Sequence, residues 1–147
     1  MKEYKAVKAE GVAVVIIHKK RILLVKRRNI PFIFNPGIWG FVTGSKKKSE
    51  RYAETAYREV EEETGIAREQ LKQIKKPVKV WMFDSKKHKK WQNYLFFFMS
   101  ETSDVKLNIE NSAFRWSSLS DIAKENNYTN IFMDKDVVIK GIGSCTK

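Results

Sequence analysis

The stretch from Gly44 to Ile66 constrains the chain more than any other. It runs as a glycine, five residues, Glu50, seven residues, then Arg58-Glu59-Val60-Glu61-Glu62-Glu63-Thr64-Gly65-Ile66. Good helix formers without proline follow Ser49, a candidate N-cap, and Gly65 is placed to end the helix. At about 100° per residue, Glu59, Glu62 and Glu63 fall within roughly a 100° arc of one helical face. Ala53, Ala56, Tyr57 and Val60 form a neighbouring apolar stripe suited to packing on a sheet.

Three carboxylates on one face repel one another unless a cation sits among them. Hard oxygen ligands grouped this way suit Mg²⁺ or Mn²⁺, which take carboxylates, waters and substrate phosphates together. Acidic helix faces are usually just solvated, but the charge distribution argues otherwise here. Residues 50–69 hold seven of the seventeen acids against three arginines, a net charge of −4 in a chain of +12. The rest of the chain therefore carries +16. An acidic island in a basic protein is what a metal-bridged, polyphosphate-binding cleft would look like.

The whole segment resembles the Nudix box, G-x5-E-x7-R-E-U-x-E-E-x-G-U with U aliphatic. Its fixed positions are filled by Gly44, Glu50, Arg58, Glu59, Val60, Glu62, Glu63, Gly65 and Ile66. Nine constrained positions across twenty-three residues set this apart from a lone glycine motif. The resemblance is to MutT-like Nudix hydrolases and covers nearly the whole chain. It implies an α/β (α+β) fold, a mixed β-sheet sandwiched between α-helices, as one domain over residues 1–147. The entry Val42-Thr43-Gly44-Ser45, where many members have a proline-glycine-glycine run, resembles the subset acting on dihydroneopterin triphosphate and related nucleoside triphosphates.

Composition agrees with a globular fold of this size: 147 residues, 42% hydrophobic and 31% charged. The lone Cys145 excludes an intramolecular disulfide framework and fits a reducing cytosol, so a cytoplasmic location is expected. No secretory leader is recognisable, and Val12 to Ile17 is far too short to span a bilayer, so no membrane partner is expected. The positive charge favours anionic partners, although most of it reads as a lysine-rich solvated surface.

Val12 to Ile17 and Ile22 to Val25 read as a hairpin of largely buried strands about a polar His18–Arg21 turn. Residues 29–38 hold two prolines and form a loop with two phenylalanines, Phe32 and Phe34. Trp39 to Gly44 reads as one short strand entering the box. Val78–Phe83 and Trp91–Met99 pair antiparallel across a basic turn that contains His88. Neither His18 nor His88 has metal-ligand spacing to another candidate. Glu110 to Trp116 is a late strand and Ser117 to Ile122 a helix start, followed by a closing helix at 129–140 and a frayed tail at 141–147.

The resemblance implies hydrolysis of a diphosphate linkage by water, with Glu59, Glu62 and Glu63 holding one to three Mg²⁺ ions (Mn²⁺ as substitute). The Gly44 carbonyl assists, Gly44 letting the backbone turn sharply. Glu110 is the fourth carboxylate, though Asn111 stands where the family often has histidine. Glu50 and Arg58 belong to a hydrogen-bonded scaffold, and Arg58 completes the catalytic set. The proton acceptor is Glu110 or one of the box glutamates. Arg27 and Arg28 lie where a family member's basic residue often faces phosphate, with plain surface charge the alternative. Lys46, Lys47 and Lys48 either draw a phosphate chain inward or are simply exposed. Trp39, Phe34 and Tyr94 are candidates to stack on a base. The expected substrate is a nucleoside triphosphate, or a related nucleoside-diphosphate-linked compound, cleaved to a monophosphate plus pyrophosphate. RNA 5′-end pyrophosphohydrolysis and a nucleotide-sensing or nucleic-acid-binding module are the competing readings. Oligomeric state stays open between monomer and homodimer.

Overall fold

The doubly apolar run Val12–Ile17 demands cover on both faces, and the fold supplies it. A computed structural model of the chain describes residues 4–30, 36–124 and 135–147. Its strands, in one mixed sheet, are β1 (Lys5–Ala6), β2 (Gly11–His18), β3 (Arg21–Arg27), β4 (Trp39–Gly40), β5 (Val42–Ser45), β6 (Leu71–Gln73), β7 (Val78–Asp84), β8 (Lys89–Ser100) and β9 (Asn111–Ser117). The helices are α1 (Tyr52–Thr64), α2 (Leu119–Lys124) and α3 (Lys135–Cys145).

β2 lies at the centre, parallel to β8 from Val12↔Tyr94 to Ile17↔Met99 and antiparallel to β5. The period of two then sorts side chains between two cores. Val12, Val14 and Ile16, with Phe96 and Phe98, pack under Ala56 and Val60 of α1. Ala13, Val15 and Ile17, with Leu95 and Phe97, meet Ile122 of α2 and Val138 and Ile142 of α3. Helices thus cover both faces of a mixed sheet, as the resemblance implied.

The β2–β3 hairpin turns at Lys19 and Lys20, which hold φ of 48° and 65°, the left-handed geometry of a two-residue primed turn. His18 is less exposed than the turn reading suggests: it ends β2, and its Nδ1 lies 2.9 Å from the Ser100 carbonyl. The β7–β8 turn is set by the Asp84 carboxylate, which accepts from the backbone of Lys86 and Lys87.

Three local expectations need correcting. Ser49 does not cap α1; Arg51 does, in extended conformation and without a side-chain bond, while Glu50 braces the entry from outside the helix. Trp39 to Gly44 is two strands, because β4 pairs with β3 and β5 with β2. The C-terminal segment does not fray from residue 141: α3 runs to Cys145 because Val138, Gly141 and Ile142 are buried against the sheet. The first part of the expected closing helix, 129–134, lies outside the described residues.

Candidate active site

α1 carries its acids one turn apart, and the fold decides which of them face inward. Glu59 and Glu63 turn toward the sheet, Glu59 at 7% exposure and Glu63 fully buried. The turn before β9 brings Glu110 to the same place. One carboxylate oxygen from each of Glu59, Glu63 and Glu110 lies within 4.8 Å of the others.

Asn111 Nδ2 donates to Glu63 Oε1 at 2.8 Å, which leaves Glu63 Oε2 and Asn111 Oδ1 buried with no hydrogen-bond partner. Burial pushes the Glu63 carboxyl well above its ordinary range, and Glu110 and Glu59 push the same way against the Asn111 bond. Glu59 is also raised by burial and by the neighbouring Glu62 carboxylate, in opposition to the charge and hydrogen bond of Arg58. Native proteins rarely leave a buried carboxylate oxygen unpaired. A divalent cation answers both the orphaned oxygen and the crowded charge, so this donor set fits one.

Arg27 reaches the same cleft from β3. Its Nη1 donates to Thr43 Oγ1 at 3.0 Å. Burial lowers its pKa while Glu63, Glu110 and Glu59 pull it up, and a guanidinium keeps its charge under such opposition.

The outer brace is Glu50–Arg58. Arg58 Nε and Nη2 donate to the two Glu50 oxygens at 2.6 and 2.9 Å, and Nη2 also donates to the Ser45 carbonyl at 2.9 Å. Nη1 donates to Glu59 Oε1 at 2.8 Å and to Glu62 Oε2 at 3.2 Å. The Arg58 hydrogen bonds hold Glu50 down at about 2. One arginine therefore ties the loop after β5 to the acidic face of α1. Glu62 is half-exposed on that arginine and stands outside the three-carboxylate group.

Gly44 is needed for a reason other than the expected sharp turn. It lies in β5 opposite Val12, and its φ is not in the left-handed region. A Cβ at Gly44 would fall 2.0 Å from Glu59 Cδ. The missing side chain is the space the Glu59 carboxylate occupies.

A cavity of about 390 Å³ opens beside this group, lined by Glu59, Glu110 and Arg27 and by Trp39, Phe41 and Trp91. The other expected residues lie elsewhere. Arg28 Nε donates to the Ile109 carbonyl at 2.6 Å, so it fastens the turn that carries Glu110 and does not face the cavity. Lys46 stands over the Tyr52 ring at 5.6 Å, outside the cavity lining. Tyr94 points to the α1 side of the sheet, 4.5 Å from the Tyr52 ring and out of phase with Asn93 on β8, and does not line the cavity. Phe34 lies outside the described residues. Asn111 and Asn93 escaped the sequence reading as site residues. The signal for Asn93 was present: a lone amide in phase with Leu95 and Phe97 on a strand that otherwise buries apolar groups.

The NUDIX domain family matches residues 7–135. The chain belongs to the Nudix family. It is accordingly a hydrolase of pyrophosphate bonds, and the acidic helix is its Nudix box. Among curated proteins none matches this chain in sequence. Solved structures do. A MutT protein from Methanosarcina mazei Go1 is 24% identical, with 100% of this chain and 99% of that one covered and a TM-score of 0.73. A C. elegans Ap4A hydrolase is 22% identical over 84% and 89% of the two chains, with a TM-score of 0.69. The E. coli dihydroneopterin triphosphate pyrophosphohydrolase is 26% identical over 88% and 95%, with a TM-score of 0.63. No helix among the described residues is long and apolar enough to cross a membrane.

Proposed function

We propose that this Nudix hydrolase is a Mg²⁺-dependent pyrophosphohydrolase that cleaves a nucleoside triphosphate to a monophosphate and pyrophosphate. One observation carries the reading. Buried Glu59 and Glu63 and half-buried Glu110 form one carboxylate group, Glu63 holding an orphaned oxygen, and Glu59 and Glu110 line a cavity whose lining also includes two tryptophans and an arginine. That arrangement suits a polyphosphate attached to a planar ring. Likeness to the dihydroneopterin triphosphate enzyme, at 26% identity, points to the same bond class.

Glu59, Glu63 and Glu110 would hold the metal, with Glu62 and the Gly44 carbonyl the further ligands that the family resemblance implies. When bound, Mg²⁺ would neutralise phosphate charge, acidify the attacking water and stabilise the departing pyrophosphate. The remaining work belongs to the chain. Arg27, fixed by Thr43, supplies a planar cation toward the phosphates. Arg58, locked by Glu50, keeps Glu59 aimed at the cleft. The water's proton passes to Glu59 or Glu110, which line the cavity, and not to Glu63, which is sealed behind them.

The test is pyrophosphate release from nucleoside triphosphates with Mg²⁺ and again in excess chelator. Release that stops under chelation and returns with Mg²⁺ or Mn²⁺ is expected. Full turnover under rigorous chelation would sink the proposal, as would release of single phosphates in place of pyrophosphate.

A further inference from the structure

We infer that Asn93 reads the ring of the substrate, selecting a heterocycle that presents an N–H donor on its edge. The inference rests on the pyrophosphohydrolase reading for what enters the cavity, and it adds which chemical feature of that ligand is recognised.

Asn93 lies on β8 opposite Val80 and is 6% exposed, yet it lines the cavity. Its amide orientation follows from its neighbours. Nδ2 donates to the Val12 carbonyl at 3.4 Å and to Met82 Sδ at 3.2 Å. Turning the amide over would set Oδ1 against a carbonyl oxygen and a thioether, two acceptors, and forfeit both bonds. Both donor hydrogens are thus committed to the protein. The oxygen is not: among the described residues no group donates to Asn93 Oδ1.

Gly11 keeps that oxygen uncovered. A Cβ there would approach Asn93 Oδ1 to 2.9 Å and the Gly44 carbonyl oxygen to 2.7 Å. The absent side chain lets Asn93 Oδ1 and the Gly44 carbonyl oxygen of the Nudix box both come close to the Gly11 backbone. Phe41, Met82, Trp91 and Trp39 also line the cavity, flat or apolar groups with little to offer a ring edge, while its charged side chains are Glu10, Arg27, Glu59 and Glu110. A fixed, nearly buried acceptor discriminates strongly, because a ligand that cannot donate leaves it unpaired when the cavity fills. The same logic makes Asn93 a specificity residue and not a source of binding strength for every ring.

The experiment compares binding of four 5′-monophosphates to the whole chain without metal, read by calorimetry and by quenching of cavity tryptophan fluorescence. Those of guanosine, inosine and adenosine each carry an N–H on the base; that of purine riboside carries none. At least one of the three is expected to bind roughly tenfold tighter than the purine riboside compound, the cost of one unpaired acceptor. In Asn93→Leu that advantage should disappear while purine riboside affinity holds.

Equal affinity across all four in the wild-type protein overturns the inference, as does no binding of any. An advantage that survives in a folded Asn93→Leu also overturns it. If the variant does not fold, the wild-type comparison decides alone. Pyrophosphate release from the matching triphosphates is measured in parallel. Preference without release would defeat the pyrophosphohydrolase reading and leave this one standing; release without preference would do the reverse.

Discussion

Glu63 shows most sharply how this site sets stability against function. Its carboxyl is buried, bonded on one oxygen and orphaned on the other. The folded state therefore retains a proton that the unfolded chain gives up near its ordinary value of 4.5. Since the folded pKa is the higher one, stability of the metal-free protein falls as pH rises from that value toward it. Glu63→Gln removes the ionisation, so the variant should melt above wild type at pH 8 without metal, and the gap should close near pH 4.5. Each kcal/mol recovered reads as about 2–4 °C at this size. Its kcat should fall by roughly two orders or more, because a ligand charge is gone. Glu62→Gln should lose activity on a similar scale with no gain in melting temperature, its carboxylate being half-exposed already. A wild-type kcat in folded Glu63→Gln would remove the buried group from the chemistry. Gly44→Ala tests the same geometry from across the cleft: its Cβ would displace Glu59, so activity should drop about as far as when a ligand is lost.

At the scale of elements, α1 is where sequence and structure agree most. The spacing of acids and alanines determines which face packs and which holds charge, and Gly65 ends the helix at φ 73°. Legibility fades where tertiary contacts decide. Periodicity placed three glutamates on one face, but only the sheet's position turns Glu59 and Glu63 in and leaves Glu62 on Arg58. Tyr94 and Trp39 were equal candidates as aromatics until strand alternation put them on opposite faces. Asn111 read as a mere departure from a family histidine, since nothing local reveals that its amide meets Glu63 across the fold. α3 carries the clearest consequence of such an unread contact. Its end was expected to fray, yet Ile142 is fully buried in the core beneath it. Ile142→Ala should cost about 2–5 kcal/mol, measured by urea unfolding. A loss below about 0.5 kcal/mol would restore the frayed tail.

Over the whole molecule the question is what a charge of +12 is for. Were it organised for nucleic acid, cations would line a groove leading to the carboxylates. Instead, several lie over aromatic rings of the surface: Lys46 over Tyr52, Lys79 over Tyr94 and Lys90 over Trp81, at 5.6, 5.8 and 5.1 Å. Among the residues lining the cavity, Arg27 alone is cationic. Lysines so placed suit broad attraction of anions more than the tracking of a backbone. An RNA substrate would neutralise several lysines and release condensed counterions, so its binding would weaken with a log–log salt slope of about −0.7 per phosphate contacted. A free nucleotide offers a short phosphate tail that Mg²⁺ already neutralises in large part, so its KM should respond weakly. We expect the weak response, with kcat/KM for a nucleoside triphosphate above that for a short 5′-triphosphate RNA. Measuring both at roughly 50 and 200 mM salt separates the cases, since a backbone-tracking enzyme loses affinity steeply over that range. RNA preferred at both concentrations, with a steep slope, would assign the basic surface to substrate and make this hydrolase an RNA 5′-end enzyme.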